Sequence, residues 1–560
     1  MPSLGASHYD LVVIGSGAGG LTAAIRAKLG GLNVVVLEKA ETFGGTTARS
    51  GGVLWIPGST YDPGGEESRR SARQYIAEEA GNHFDGEAVD LFLEQGPKMV
   101  DFLERHTEVR FVPTLYPDYH PDRPGGVDVG RSILAAPYDI TRLGDRMKDL
   151  RPPLETITFM GMMFNSSNAD IRHFFNATKS LKSAGYVTRR LASHMVELAR
   201  RGRATQVTSG NALAARLAKS ALDLEIPILC GVSVQRLTTR DGRITGAALE
   251  DGREVSASRG VVLATGGFAR DRRRTADRYA HKNGIEDHLS PVPAENTGDG
   301  LDLAEAVGGA LCAPLANPAA WMPVSEVRYA DGRTEAFPHL LDRYKPGMIG
   351  VLRDGRRFTN ESASYHDVGA AMAAAAPADR APEMWLVCDH RTIRKYGLGH
   401  AKPAPVPLAG PLRKGYIQRG RDLKELAEHC GIDPDGLERT VARFNEGARK
   451  GEDPEFGRGT TAFNRYLGDP DHRPNPCVAP IDRGPFYALR LTLGELGTFE
   501  GLKTSVTGEV LGQDDAPVPG LFAVGNDRAS VMGGAYPGAG ITLGPIMTFA
   551  FVTAEHILQM

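Results

Sequence analysis

Residues 11–38 leave the chain little freedom in how it can fold. Leu11, Val12, Val13 and Ile14 form a short apolar run, the mark of a buried strand. Gly15-Ser16-Gly17-Ala18-Gly19-Gly20 follows as a G-x-G-x-x-G turn, and Ala23, Ala24 and Ala27 continue it as a helix of small residues. A second apolar run, Val34 to Leu37, ends in Glu38. The glycines differ in what they permit. Gly15 allows the tight strand-to-helix turn, Gly17 lets a pyrophosphate approach the backbone, and Gly20 lets helix and strand pack closely. The helix start offers free N–H groups and the positive end of its dipole to the phosphates. Glu38 is placed to accept hydrogen bonds from a ribose. A lone G-x-G-x-x-G is weak evidence, but set between two strands with an acid at the end of the second it is strong evidence for a bound dinucleotide. The residues expected to touch it here are Gly15, Gly17, Ala18, Gly19, Gly20, Glu38 and Lys39.

The next stretch says which dinucleotide. Gly44, Gly45, Thr46, Thr47, Ser50, Gly51 and Gly52 combine small side chains, hydroxyls and accessible amides. Such a loop can wrap a diphosphate and the flat face of a ring system. It departs from nicotinamide dehydrogenases and resembles the two-dinucleotide-binding-domain flavoproteins, so the dinucleotide is expected to be FAD. Two later segments fit the same resemblance. Residues 260–263 read as a buried strand that runs into Ala264-Thr265-Gly266 and passes the adenosine end of FAD, with Asp299 at the start of a following helix. Residues 521–526 form another strand, carrying Gly525 and Asn526. A helix then opens near Gly540 and Leu543, its N-terminus aimed at the flavin pyrimidine edge, where it would stabilise the charge of the reduced ring. The loop from Gly44 to Ser50 holds no obvious histidine for flavin attachment, so FAD is expected to bind non-covalently.

With 560 residues the chain is too long for one hydrophobic core. The expected fold is α/β: a Rossmann-like FAD-binding domain over 1–317 and 486–560, carrying an insertion at 150–220, plus an inserted α+β catalytic domain over 318–485. The insertion contains Phe159-Met160-Gly161-Met162-Met163-Phe164, then a basic stretch with Arg172, Lys179, Lys182, Arg189, Arg190, Arg200, Arg201 and Arg203. The methionines read as plain core packing, as a flexible apolar lid over a hydrophobic substrate, or as a peripheral contact with a membrane. Residues 115–126 hold Tyr116, Tyr119 and His120 between prolines that exclude a helix; residue type alone suggests a rigid surface loop. A net charge of -3 implies no nucleic-acid partner. Five scattered cysteines, with no metal spacing, fit a reducing compartment. No metal is expected, and a cytoplasmic location is the default, with membrane association left open.

The order of the parts resembles the fumarate reductase and succinate dehydrogenase flavoprotein superfamily, over nearly the whole chain outside 150–220. Its dicarboxylate enzymes carry an arginine acid four residues after the Glu of an Arg-Phe-x-Asn-Glu segment. Here Tyr365 stands at that place after Arg357-Phe358-Thr359-Asn360-Glu361, and the histidines expected near 493–498 are absent. A site for two carboxylates needs fixed cations, because burying such charges unpaired costs several kcal/mol. The tyrosines instead match the 3-ketosteroid Δ1-dehydrogenases. The matching pieces are Asp118-Tyr119-His120-Pro121 with Pro124-Gly125-Gly126, Asn360-Glu361 through Tyr365, Gly494 to Thr498, and Tyr536-Pro537-Gly538-Ala539-Gly540.

That resemblance implies roles. Tyr536 and Gly540 polarise a ketone oxygen, Tyr365 removes the alpha proton, Tyr119 supports it, and the flavin takes a hydride from the beta carbon. His120 or His366 would be a candidate to relay the proton. The implied reaction is the α,β-desaturation of a hydrophobic cyclic ketone, first of all the 1,2-dehydrogenation of a 3-oxosteroid, with an external, quinone-like electron acceptor. Two alternatives stay open: a small cyclic ketone such as cyclohexanone, and the reverse reaction, an enone or fumarate-type reduction. The lack of a haem C-x-x-C-H motif or an attached FMN module speaks against the latter.

Overall fold

The computed structural model describes residues 7–159, 161–163, 173, 180–282 and 288–560. Met160 and Phe164 of the methionine cluster, and Arg172 and Lys179 of the basic stretch, lie outside them. Two sheets organise the chain. The first is built on five parallel strands in the order Pro517–Ala523, Glu254–Leu263, His8–Ile14, Val34–Glu38 and Ile228–Cys230. Glu509–Leu511 extends it antiparallel, and Val234–Arg240 and Arg243–Leu249 join at Glu254–Leu263. The two middle strands show why the sheet must be covered on both faces. Leu11, Val13, Val34 and Val36 pack into one core cluster, and Val12, Ile14, Val35 and Leu37 into another. Parallel strands buried on both sides read as continuous apolar runs for this reason.

The second sheet is antiparallel, in the order Thr334–Pro338, Ala319–Arg328, Phe486–Thr498, Glu383–Asp389 and Met348–Val351, with Gln418–Gly420 alongside Phe486–Thr498. The fold is therefore the mixed α/β arrangement expected. By sheet membership Phe486–Thr498 belongs to this second sheet, beyond the boundary expected at 485. The expected insertion is likewise not one unit. The helix Leu181–Arg201 lies largely exposed, whereas the helix Ser209–Asp223 is buried along most of its length and packs on the helix Ala18–Leu29. Its small residues Ala212, Ala214, Ala215 and Ala218 let it approach closely.

Local geometry around the first turn follows the glycines. Gly15 has φ +110°, and a Cβ there would lie 2.1 Å from Ala264 O; a Cβ on Gly20 would lie 2.1 Å from Gly15 O. Both contacts are closed to any side chain. The terminal helix Leu543–Gln559 packs on Ala18–Leu29, where Arg26 pairs with Glu555 at 2.5 Å, and on the helix Gly86–His106.

The second sheet carries its own buried charge network. Arg357 Nε and Nη2 donate to Glu361 at 2.8 Å each, Arg357 Nη1 donates to Asp453 at 2.7 Å, and Arg458 Nη1 reaches Glu361 at 3.3 Å. The side chains are 0–2% exposed. Gly350 N–H also donates to Glu361 at 3.0 Å. Breaking a buried pair from one side leaves an uncompensated charge. Glu361→Gln should therefore cost about 3–5 kcal/mol, read as a lower urea midpoint for tryptophan fluorescence. An unchanged midpoint would show that this network does not hold the second sheet together.

Candidate active site

The two long sequence separations close at one place. Tyr119, Tyr365 and Tyr536 are 6%, 8% and 5% exposed. Their ring centroids lie 5.7 Å apart for Tyr119 and Tyr365, 5.6 Å for Tyr119 and Tyr536, and 5.0 Å for Tyr365 and Tyr536. Tyr119 stacks on Tyr536 at an interplanar angle of 9°, and Tyr365 meets both edge-on. Phe463, Tyr344, Phe499 and Met163 belong to the same apolar cluster. The loop bearing Tyr119 is thus buried at that residue and is not the surface loop its residue types suggest.

Each tyrosine has a distinct support. Tyr119 N–H donates to Pro537 O at 2.8 Å, tying its loop to the Tyr536 loop. Tyr75 hydroxyl donates to the same carbonyl at 2.7 Å and accepts from His120 N–H at 3.0 Å. Beneath this seam sits Asp118, which accepts from Trp55 Nε1 at 2.8 Å, Arg131 Nη1 at 2.6 Å and Val127 N–H at 3.1 Å. Burial pushes Asp118 up to about 6, and the Arg131 charge and these three donors keep it a carboxylate at neutral pH. Tyr365 opens the helix Tyr365–Ala375, capped by Ser364 Oγ, which accepts from Asp367 N–H at 3.1 Å. That helix packs on Ala319–Arg328, where a Cβ on Gly369 would lie 2.6 Å from Trp321 Cβ.

Gly540 has φ +96°, and a Cβ there would fall 2.6 Å from the Leu54 carbonyl carbon and from Val53 O. Its carbonyl accepts from Trp55 N–H at 3.1 Å, while its own N–H meets no acceptor among the described residues. Burial pushes all three phenols above the ordinary tyrosine range. Hydrogen bonding with Tyr365 pulls Tyr119 and Tyr536 down, while the charges and hydrogen bonds of Tyr119 and Tyr536 lift Tyr365 further.

Neither histidine offers a vacant proton acceptor. His366 accepts Trp321 N–H on Nδ1 at 3.1 Å, and burial pulls it down to about 4, so it is neutral. His120 is clasped between Glu79 at 2.8 Å and Asp367 at 2.8 Å. Burial pulls it down, but the hydrogen bonds and charges of Asp367 and Glu79 outweigh this and lift it to about 10. A charged His120 joins the helix Gly65–Ala80 to the Tyr365 helix and cannot receive a proton.

The expected dinucleotide residues cluster around the first turn. Gly17 caps the helix Ala18–Leu29 without a side chain, so the Gly19 and Gly20 amides stay available to phosphate oxygens. A Cβ on Gly17 would meet nothing nearer than Thr47 Oγ1 at 3.7 Å, so the approach is open. Ala18 N–H donates to Thr47 Oγ1 at 3.0 Å and Gly44 N–H to Ser16 Oγ at 3.1 Å, which draws the Gly44–Gly52 loop onto the turn. Glu38 accepts from Ser16 N–H at 3.1 Å and from Ala40 N–H at 2.9 Å, at the end of its strand. Gly45, with φ +48°, precedes the single turn Thr46–Arg49. Asn296 Nδ2 joins Thr46 Oγ1 at 3.1 Å to Gly266 O at 2.9 Å. Ser50 Oγ accepts from Gly52 N–H at 3.1 Å, and Gly210 N–H donates to Ser50 O at 3.0 Å. The loop, Gly51 included, thus rests on the Ser209–Asp223 helix. Gly525 N lies 3.3 Å from where a Cβ on Gly19 would fall, so the third segment meets the first. A cavity lined by Gly525, Asn526, Ile541 and Thr542 opens before Leu543 at the start of the terminal helix. These residues fit what FAD would need: helix-start amides for its diphosphate and the Glu38 carboxylate for its ribose.

Three side chains expected to face the cofactor are engaged elsewhere. Thr265 Oγ1 donates to Asp527 at 2.9 Å, and Lys39 pairs with Asp299 at 2.6 Å. Asp527 also accepts from Thr265 N–H at 2.6 Å and Gly267 N–H at 2.8 Å, so it stitches the second flavin segment, with Ala264, to the third. Sequence reasoning missed Asp527, Arg131 and Trp55. Asp118 stood within a quoted motif, but nothing marked its partners.

The His120 clasp has a pH signature. The fold holds its proton to about pH 10, against an ordinary value of 6.5. Its stabilisation is complete below pH 6.5 and vanishes as pH rises through 10. The melting temperature of the wild type should therefore fall between those limits by more than that of His120→Gln; parallel curves would show that His120 carries no such charge.

The family model "FAD binding domain" matches residues 10–543. The chain is 39% identical over 555 residues to a 4-oxocyclohex-2-ene-1-carboxylate 5-dehydrogenase of Sinomonas cyclohexanicum, covering 98% of this chain and 94% of that one. It is 35% identical over 579 residues to a 3-oxosteroid 1-dehydrogenase of Mycolicibacterium smegmatis, covering 98% and 97%. The crystal structure of a 3-ketosteroid delta1-dehydrogenase from Sterolibacterium denitrificans in complex with 1,4-androstadiene-3,17-dione superposes with a TM-score of 0.89 at 33% identity, over 99% of this chain and 100% of that one. With an FAD-binding sheet, a second antiparallel sheet and relatives of this kind along its whole length, the chain belongs to the 3-oxosteroid 1-dehydrogenase family of FAD-dependent oxidoreductases.

Proposed function

We propose that this protein desaturates a cyclic ketone between its alpha and beta carbons. The observation that carries the reading is the convergence of Tyr119, Tyr365 and Tyr536, with centroids 5.0–5.7 Å apart. A hydrogen alpha to a ketone becomes acidic only when the developing enolate is stabilised. Tyr536 hydroxyl and Gly540 N–H bind the ketone oxygen as an oxyanion hole, where loss of one donor costs about 3–4 kcal/mol. Tyr365 takes the alpha proton as a phenolate, its own proton having been released to solvent, and Tyr119 supports the charge. The dry, aromatic surround excludes water from the carbanion-like state. Bound FAD supplies the hydride acceptor for the beta carbon. FAD is held non-covalently by the Gly15–Gly20 turn and the Gly44–Gly52 loop, and the hydride equivalents leave to an external, quinone-like acceptor.

The identity to the Sinomonas relative supports a monocyclic ketone as substrate. The likeness to the steroid-bound Sterolibacterium structure supports a second reading, a 3-oxosteroid. The helix Leu181–Arg201 exposes Leu181, Met195 and Val196 beside Lys182, Arg189 and Arg200, which supports a peripheral contact with a membrane. Among the described residues no helix is long and apolar enough to cross one.

Anaerobic mixing with cyclohexanone, with 4-oxocyclohexanecarboxylate and with androst-4-ene-3,17-dione should bleach the flavin band with at least one of them. No bleaching by any would overturn the reading. Tyr365→Phe should lose about 10²–10⁴-fold in kcat while keeping FAD and ketone binding. Near-normal turnover would remove Tyr365 from the base role.

A further inference from the structure

His366 follows Tyr365 in the chain, and its ring is joined to the Tyr536 loop by a hydrogen bond and by ring contact. It lies in the first turn of the helix Tyr365–Ala375 and is 3% exposed. The second sheet supplies one partner. The ladder between Ala319–Arg328 and Phe486–Thr498 shifts register between Ala319 and Trp321, and there the Trp321 N–H donates to His366 Nδ1 at 3.1 Å. With Nδ1 as the acceptor, the neutral ring carries its proton on Nε2 and has one N–H to give. The backbone of Gly534 is its other hydrogen-bond partner.

Gly534 stands two residues before Tyr536 and is held from the same side a second time. Asn317 Nδ2 donates to Gly534 O at 3.0 Å, and Asn317 Oδ1 accepts from Trp321 Nε1 at 2.9 Å. Gly534 has φ +88°, and a Cβ there would fall 2.5 Å from Asn317 N, so the loop lies directly against this segment. Trp321 thus gives its main-chain N–H to His366 and its indole N–H to Asn317, and both of these residues reach Gly534. The His366 ring also meets the Tyr536 ring, with centroids 5.8 Å apart, and Phe499 lies 5.7 Å from His366 and 6.0 Å from Tyr536. On the far side of Tyr536, Pro537 O is held by Tyr119 N–H and the Tyr75 hydroxyl. Tyr536 is therefore clamped from both directions along its loop. A donor in an oxyanion hole acts through its position, and a misplacement of ~1 Å costs about 10²-fold in rate.

We propose that His366 is a positioning residue for the ketone-binding hydroxyl of Tyr536: its neutral imidazole spaces the Tyr365 helix from Gly534 and so sets the base and the oxyanion donor relative to each other. The inference rests on the desaturase reading and adds to it a residue that acts through Tyr536.

The test is a double-mutant cycle in the FAD-loaded enzyme, run with the ketone, of the three named above, that the wild type turns over. His366→Phe keeps a ring but neither hydrogen bond. It should lower kcat at least tenfold while KM changes less than threefold, the split expected when a contact made in the transition state is lost. In the Tyr536→Phe background the same change should cost less than twofold, because the hydroxyl that it positions is gone. His366→Gln, whose amide offers an acceptor and a donor, should recover part of the loss. Bound FAD per chain should match the wild type throughout. Equal fold losses in the two backgrounds would overturn the proposal, as would an unchanged kcat or a loss of bound FAD in His366→Phe. Should His366→Phe fail to fold, His366→Gln is measured in the same two backgrounds, and equal losses there are the overturning result. A wild type whose flavin is bleached by none of the three ketones would instead refute the desaturase reading itself, so the two failures are distinguishable.

Discussion

Asp118 is the point on which the arrangement of the site depends. It is a buried carboxylate joined to Arg131, Trp55 and Val127 N–H, and the next residue along its chain is Tyr119. Trp55 belongs to the strand Val53–Trp55, whose N–H meets Gly540 O, so one carboxylate links the flavin loop, the Tyr119 loop and the Tyr536–Gly540 loop. A buried charge pair of this kind adds little net stability, because desolvation offsets the attraction. Its value is geometric: each donor has one acceptor and one direction. The stacked rings of Tyr119 and Tyr536 follow from that restriction.

The electrostatics of the cluster separate positioning from proton transfer. His120 and His366 flank two of the tyrosines, yet one is charged and clasped and the other is neutral with its lone pair engaged. Burial raises all three phenols, and the charges and hydrogen bonds of Tyr119 and Tyr536 lift Tyr365 further.

The nucleotide end was legible in the residues because its physics is local. Gly15, Gly17 and Gly20 act within one turn, and Glu38 ends the very next strand, so spacing alone carries the signal. The tyrosines were legible only through resemblance to a family, since nothing in a lone tyrosine distinguishes a base from a packed ring. Residues 115–126 looked like surface because prolines and charged residues mark loops; the burial of Tyr119 comes from Pro537, over four hundred residues away. The Ser209–Asp223 helix was grouped with an insertion, although its small residues serve to carry the flavin loop. Arg131 and Asp527 left no periodic trace, as each acts across a long separation.

The sequence by itself determined a dinucleotide turn, an α/β sheet buried on both faces, and the chemical types available for catalysis. These follow from steric limits at glycine and from apolar periodicity, which operate over a few neighbouring residues. Tertiary structure alone decided which of sixteen tyrosines meet and which histidine is charged. Those outcomes depend on burial and on partners brought together by folding, and desolvation is a property of the assembled interior that no stretch of chain possesses alone.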